Sequence, residues 1–219
     1  MKKYKDKFDK MSKEPVKKLI SSLAVPTIIT MLVSAVYNMA DSYFVGKIDT
    51  TSVASIGIVF SVMTLLQAVG FFLGNGSGIL ISTFLGEKKK ERAEIYANIA
   101  FFTAFITGII MAAVGFFFSE KIALLLGATQ TTLESASGYL KYILLGSPFI
   151  LTSFVLNNQL RYQGSAVYSM AGILSGSILN ILIDPLFIFT FKLGVQGAAI
   201  ATIISQFIGF IVLLLGTRK

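Results

Sequence analysis

The stretch LISSLAVPTIITMLVSAVYNMADSYFVG, residues 19–46, contains a single charged side chain, Asp41. Its first part, residues 19–40, carries no charge at all. A helix of about 20 apolar residues crosses the hydrocarbon core of a bilayer, so the stretch predicts a membrane-spanning helix. An ionised side chain is costly inside a membrane and usually marks a functional site there. Asp41 therefore needs a physical reason to lie where it does.

Five further intervals are equally free of charge: 50–86, 95–119, 142–160, 162–183 and 193–217. The chain is 54% hydrophobic and 14% charged, whereas soluble domains carry about 25% charged residues. Barrel strands alternate polar and apolar residues, and these intervals do not. We therefore predict an all-α integral membrane protein, a bundle of six transmembrane helices. The predicted spans are approximately 18–46, 52–85, 94–118, 137–160, 165–190 and 194–216.

The basic residues are distributed unequally between the two sets of connections. Fifteen of the 19 precede span one, follow span six, or lie between spans two and three or four and five. Basic loops stay in the cytoplasm, so both termini are predicted there, and the net charge of +8 is a topology signal rather than a sign of nucleic-acid binding. The four basic residues of the other side are Lys47, Lys121, Lys141 and Lys192.

Three segments are not explained by the pattern of apolar spans and basic connections, and each leads to a separate prediction. Residues 1–17 are predicted as a basic cytoplasmic segment ahead of a lobe that covers residues 18–217. Residues 119–138 are polar at both ends with an apolar centre, which suggests a short interfacial helix on the outer surface. The glycine-rich GNGSG, residues 74–78, lacks the Lys-Ser/Thr of a phosphate loop. We interpret it as a place of close helix packing or of a bend.

The absence of Cys and His restricts the chemistry of the chain. It excludes zinc and haem sites built on these residues and catalysis by Ser-His-Asp or Cys-His groups. An intramembrane aspartyl protease would place its acids in Tyr-Asp and Gly-x-Gly-Asp motifs, and neither MADSY (39–43) nor LIDPL (182–186) matches. No enzyme activity and no organic cofactor are predicted.

Asp41 and Asp184 are the only acids well inside the predicted spans. Asp41 lies six residues before Lys47, about 9 Å below the outer end of span one at the helical rise. Asp184 and Thr202 are each about 12 Å deep by the same rise. These three oxygen-bearing side chains are therefore expected at a similar depth in the outer half of the membrane.

Neutral oxygens accompany the second acid. Asn180 precedes Asp184 by four residues, which puts both on one helix face. Pro185 removes the donor that would bond the Ile181 carbonyl and is expected to bend span five, as Pro26 bends span one. Such a set of hard oxygen ligands suits a small cation such as Na⁺. Two close carboxylates can instead share a proton, and from spacing alone the alternative that both acids are merely structural stays open.

Four segments resemble, in order, the amino-terminal half of the multidrug and toxic compound extrusion (MATE) transporters. The most specific features are the acid near the end of span one, Gln-Leu-Arg-x-x-Gly after span four, and Asn-x-x-x-Asp-Pro in span five. The segments are LAVPTIITMLVSAVYNMADSYFVGKIDTTSVASIG (23–57), GNGSGILISTFLGEKKKERAE (74–94), NNQLRYQGSAVYSMAGILSGSILNILIDPLFIF (157–189) and LGVQGAAIATIISQ (193–206).

The resemblance implies export of small cationic or amphipathic drugs across a prokaryotic plasma membrane, driven by inward flow of Na⁺ or H⁺. It implies a cation site in this lobe, and three further polar positions that line the same lobe. By its depth along the helix, one of these three, Asn157, lies nearer the cytoplasmic end of span four. The implied cation site is Asp41, Asn180, Asp184 and Thr202, and the lining positions are Tyr37, Tyr139 and Asn157.

The family has twelve spans in two six-helix lobes with the substrate between them, whereas this sequence holds six. We therefore expect a second lobe as a partner, with the chain being a truncated one, half of a split transporter, or a half-size protein that pairs. Membrane lipid is the other expected partner, and nucleic acid is not. Two alternatives stay open: a related flippase for lipid-linked saccharides, which calls for cationic residues in its cavity, and a non-transporting membrane or assembly subunit.

Overall fold

Seven α-helices build residues 14–217, the part of the chain that the computed structural model describes. A π-helical turn, Leu186–Thr190, directly follows the sixth helix, and no strand occurs in the described range. Helices satisfy their backbone hydrogen bonds within one segment, as a chain in hydrocarbon requires. The helices are α1 Val16–Gly46, α2 Thr50–Gly86, α3 Lys90–Leu125, α4 Leu133–Leu145, α5 Ser147–Tyr162, α6 Ala166–Pro185 and α7 Gly194–Thr217.

The prediction of an all-α membrane bundle is confirmed. Within the described residues, five segments are long and apolar enough to cross a membrane: α1, α2, α3, α6 with its π-helical turn, and α7. Counted as one broken span, the bent pair α4 and α5 raises the number to six. Of the predicted basic segment 1–17, residues 1–13 lie outside the described range.

Span four differs from its prediction, because 137–160 is not one straight helix. The chain bends by 53° between α4 and α5. Pro148 lies in the first turn of α5, where its missing amide hydrogen costs least. The Ser147 hydroxyl lies 2.6 Å from the Leu144 carbonyl oxygen and 2.8 Å from that of Gly108 on α3. These contacts hold the bend against the neighbouring helix.

The predicted interfacial helix at 119–138 is wrong. The first part of this segment continues α3 to Leu125, and its last part begins α4 at Leu133. Ala123 and Ala136 have no exposed surface. Their small side chains are packed inside the bundle, which a helix lying on the membrane surface would not achieve.

Close packing explains the glycine-rich part of α2. At three positions one turn apart, an added Cβ atom would overlap a side chain of α5. The interpretation of GNGSG as a close-packing segment is thus confirmed for its first and last glycines. The facing pairs are Gly70 with Phe154, Gly74 with Asn158, and Gly78 with Tyr162.

The centre of the bundle is α5, whose residues from Ser147 to Leu160 are almost all buried. In contrast, α1 lies at the periphery and buries only Pro26, Asp41 and Val45. Two of these three, Asp41 and Val45, lie near its carboxyl end. The contact of α1 with the rest of the bundle therefore brings Asp41 inward, beside α6 and α7.

Candidate functional site

Two buried acids from different helices share one part of the bundle. Asp41 on α1 is 7% exposed and Asp184 on α6 is fully buried. Their carboxyl groups are close enough for their charges to interact. No Lys or Arg forms an ion pair with either carboxyl among residues 14–217. Burial of two acids without a basic partner requires another source of positive charge or a proton.

Asn180 connects the second acid to α7. Its side-chain amide donates to Asp184 Oδ1 at 3.0 Å and to Thr202 Oγ1 at 3.4 Å. Asn180 and Asp184 are one turn apart on α6, and Thr202 faces them from α7. The structure thus brings together three of the four residues predicted for the cation site, with Asp41 beside them.

Several acceptor atoms in this cluster have no donor. Asp41 Oδ1, Asp184 Oδ2 and Asn180 Oδ1 are buried and have no hydrogen-bond partner. All three are oxygens that can only accept unless a carboxyl group is protonated. Because buried acceptors in native structures are normally satisfied, the cluster fits a proton or a small hard cation such as Na⁺.

A site for transition metals is not supported. No group of three or more His, Cys, Asp or Glu side chains suited to a metal ion occurs in the described chain. Carboxylate, amide and hydroxyl oxygens, the polar atoms of this cluster, are the hard ligands that alkali and alkaline-earth cations prefer.

Two tyrosines lie next to the acids. Tyr37 is one turn before Asp41 on α1, and its hydroxyl faces the Gln206 side chain of α7. Tyr139 on α4 is fully buried beside Thr202. Its hydroxyl has no hydrogen-bond partner of ordinary distance and angle. Both rings place a polar atom near the carboxyl groups.

Asn157 has a different environment. Its amide nitrogen donates to Ser169 Oγ at 2.6 Å and to the Ser169 carbonyl oxygen at 3.1 Å. These bonds join α5 to the first part of α6, several turns from Asp184. Asn157 therefore joins two helices at a point that is remote from the acid cluster.

The two prolines have different local effects. The α-helix ends at Pro185, and the next turn is π-helical, with Phe191 N–H bonded to the Leu186 carbonyl oxygen. This change in hydrogen bonding directly follows Asp184. In contrast, α1 runs as one helix from Val16 to Gly46 through Pro26.

A cavity of about 170 Å³ extends inward from the acid cluster between α1, α2, α5, α6 and α7. Tyr37, Asn180 and Thr202 line it, whereas Tyr139 and Asn157 do not. No charged side chain lines this cavity. Ser177, which extends the face of Asn180 and Asp184 on α6, also lines it. The sequence patterns did not predict the other polar lining residues, which are Ser34, Asn38, Thr64, Gln67, Ser153, Ser205 and Gln206.

A signal for part of this lining is present in the sequence. Ser34, Tyr37, Asn38 and Asp41 follow the i, i+3, i+4, i+7 pattern, so they form one polar face on an otherwise apolar helix. Such a stripe in a membrane span points to a polar cavity rather than to lipid.

The fold and the buried acids define a polytopic helical membrane protein with a polar site enclosed by its spans. The MatE family model matches residues 26–186, and this chain belongs to the MatE family. The predicted resemblance is confirmed.

Curated relatives agree with this assignment. The multidrug export protein MepA of Staphylococcus aureus strain MRSA252 is 35% identical over 195 residues, which is 89% of this chain and 43% of the relative. MepA of Staphylococcus saprophyticus is 34% identical over the same shares. The chain spans about half the length of the curated relatives it matches.

Among solved structures, the fold matches an outward-facing multidrug resistance MATE family transporter of the MOP superfamily. That TM-score is 0.87 at 32% identity, and the match covers 93% of this chain and 46% of the other. A MOP superfamily transporter from Pyrococcus furiosus has a TM-score of 0.85 at 32% identity, over 90% and 44% of the two chains. The reversed polarity of its pocket is described as suggesting a different function.

Proposed function

We propose that this chain is the amino-terminal lobe of a cation-coupled multidrug efflux antiporter. Na⁺ or H⁺ is bound by Asp41, Asp184, Asn180 and Thr202. The observation that carries the proposal is the buried pair of acids, in which Asp41 Oδ1 and Asp184 Oδ2, together with Asn180 Oδ1, have no donor. MatE family membership and the relatives named as multidrug exporters support the transport function.

Coupling follows from the difference between two states of the lobe. With the carboxyl groups charged and empty, the cavity has a negative end that favours a cationic drug. When Na⁺ or H⁺ arrives from outside, it neutralises Asp41 and Asp184, and the lobe then favours the state that releases the drug outward. Two ligands that prefer different states of one protein are linked reciprocally, so cation entry drives drug export.

A second six-helix lobe completes the pathway. Asn38 on α1 and Gln67 on α2 are exposed polar side chains that line the cavity. Polar groups at this position in a span are costly against lipid. The second lobe covers this face and closes the space for the drug, in agreement with relatives of about twice this length. Within this lobe, Tyr37 is one of the residues that contact the drug. Membrane lipid surrounds the outer surfaces of the helices.

The orientation of the lobe follows the distribution of basic residues. We place both termini and the α2–α3 connection on the cytoplasmic side. Asp41 and Asp184 then lie in the outer half of the membrane, where a cation entering from outside reaches them first.

The flippase alternative has less support. A lipid diphosphate substrate requires cationic residues in the cavity, and its lining in this lobe contains none. A neutral polar lining beside two buried acids instead suits cationic and amphipathic molecules.

The test is drug export by the complete protein in proteoliposomes. An imposed inward Na⁺ or H⁺ gradient is expected to drive export of a fluorescent organic cation, and Asp41→Asn or Asp184→Asn is expected to stop it. Export that ignores both gradients would rule out cation coupling. Absence of drug movement under every gradient would favour the non-transporting subunit.

A further inference from the structure

The cavity continues from the acid cluster toward the side of the bundle where α7 ends. Along α7 its lining runs from Thr202 to Leu213, about 16 Å at the helical rise. Along α6 it runs from Asn180 back to Gly172. Both directions lead away from the outer end and toward the side that we propose to be cytoplasmic.

Two hydroxyl groups in this inward part have no partner. Ser153 on α5 is 9% exposed and Ser205 on α7 is 2% exposed, and neither hydroxyl has a hydrogen bond. In contrast, the buried hydroxyls of Ser55, Ser77 and Thr152 each bond a carbonyl one turn earlier in their own helix. Because buried polar side chains in native structures usually have a hydrogen-bond partner, which can be ordered water, these two hydroxyls call for one.

The cavity has room for that partner. Its volume of about 170 Å³ exceeds what one water molecule needs. Ser153 and Ser205 both line this space, on helices that also border the acid cluster. Ser205 is three residues after Thr202, so both project from nearly the same face of α7.

Because no charged side chain of the described residues lines this space, a cation would be held there only weakly. Neutral hydroxyl oxygens hold a cation more weakly than carboxylates do, and a conduction pathway requires binding that is weak enough to let the ion leave. We propose that Ser153 and Ser205 form a hydrated transit site through which the coupling cation passes from Asp41 and Asp184 toward the cytoplasm. This inference rests on the proposed function of the acids.

The first test compares release with binding in the complete protein. Ser153→Ala and Ser205→Ala are combined, and Ser175→Ala is the control, because its hydroxyl is bonded to the Gly172 carbonyl oxygen at 2.9 Å. The double variant is expected to slow drug-coupled cation entry into proteoliposomes by about tenfold, an effect of a raised transit barrier. Equilibrium Na⁺ affinity, measured by calorimetry, is expected to change by less than about twofold because the carboxylates remain.

The outcomes separate the two proposals. Coupled entry in the double variant at the rate of Ser175→Ala would overturn the transit site. If the double serine variant behaves like the control but Asp184→Asn stops coupled entry, only the transit site is overturned, and the proposed function of the acids stands. If Asp184→Asn also leaves coupled entry unchanged, the cation site itself fails.

A second measurement does not depend on turnover. In a cysteine-free form of the complete protein, Ser205→Cys is treated with a small, water-soluble cationic thiol reagent. We expect modification that Na⁺ slows, because the ion and the reagent share the hydrated space. A thiol at position 205 that is unreactive, or that reacts equally fast with and without Na⁺, would overturn the proposal.

Discussion

At the scale of single residues, the acid cluster contains more hydrogen-bond acceptors than donors. Asp184 receives one bond from Asn180, and that amide also reaches Thr202, so its donors are already used. No donor faces Asp184 Oδ2, Asn180 Oδ1 or Asp41 Oδ1 among the described residues. Depth along the helices predicts that Asp184 and Thr202 lie at one level, and in the structure Asn180 bonds both. The direction of the Asn157 side chain could not be predicted, since the rotation of α5 against α6 is set by packing.

We predict that Asp41→Asn and Asp184→Asn each abolish export by the complete protein while leaving membrane insertion intact. Asn keeps the size of the side chain and removes its charge, so the site loses its attraction for a cation. The measurement is drug resistance of a sensitive host at equal expression.

Asp49→Asn is the matched control for this prediction. Asp49 caps α2 by accepting from Ser52 N–H at 2.6 Å, and Asn caps helices about as well as Asp does. Normal resistance is therefore expected for this variant. Normal resistance in both Asp41→Asn and Asp184→Asn would remove the acids from the mechanism.

A further prediction concerns competition between the two cations. Because Na⁺ and H⁺ occupy the same carboxylates, the Na⁺ affinity of the complete protein is expected to fall as the pH is lowered. Thr202→Val removes one neutral oxygen and is expected to weaken Na⁺ binding about tenfold, or roughly 1.4 kcal/mol, with less effect on proton-driven export. Calorimetric Na⁺ titrations at several pH values check both. Na⁺ binding that is independent of pH would contradict the shared site.

At the scale of helices, hydropathy located the spans but not their internal breaks. The bend between α4 and α5 lies inside one apolar interval, so an average over the interval conceals it. The local signal was Gly146 followed by Ser147 and Pro148, a combination that typically ends one helix and begins another. The extension of α3 to Leu125 was missed for a related reason, because Glu120 and Lys121 ended the charge-free interval before the helix ended.

We predict opposite effects of alanine at two glycines of similar helical position. At Gly108, an added Cβ would overlap the Pro148 backbone at the bend. Overpacking of this kind costs about 1–3 kcal/mol. At Gly76 no atom lies within 4 Å of the added Cβ, so alanine is expected to be neutral or stabilising by up to about 1 kcal/mol. Thermal unfolding of the purified complete protein in detergent measures both. Equal melting temperatures would show that the bend is not held by this contact.

At the scale of the whole molecule, the lobe has one enclosed polar region and a largely apolar outer surface. α1 combines both, because Asp41 is buried while Met31 and Met39 are 63% and 72% exposed. A peripheral helix that carries a site residue can change its contacts with the bundle more easily than the buried α5 can. This arrangement suits the coupling that we propose between the acid cluster and the cavity.

The last prediction tests the orientation on which the direction of cation flow depends. The basic excess predicts that the α2–α3 connection, with Lys89 and Lys90, lies in the cytoplasm and that Lys47 lies outside. This chain contains no cysteine, so an introduced thiol in a cysteine-free complete protein reports one position only. An impermeant thiol reagent added to intact cells is expected to label Lys47→Cys and to leave Lys90→Cys unlabelled until the cells are opened. Labelling of Lys90→Cys in intact cells would invert the lobe, and Asp41 and Asp184 would then receive their cation from the cytoplasm.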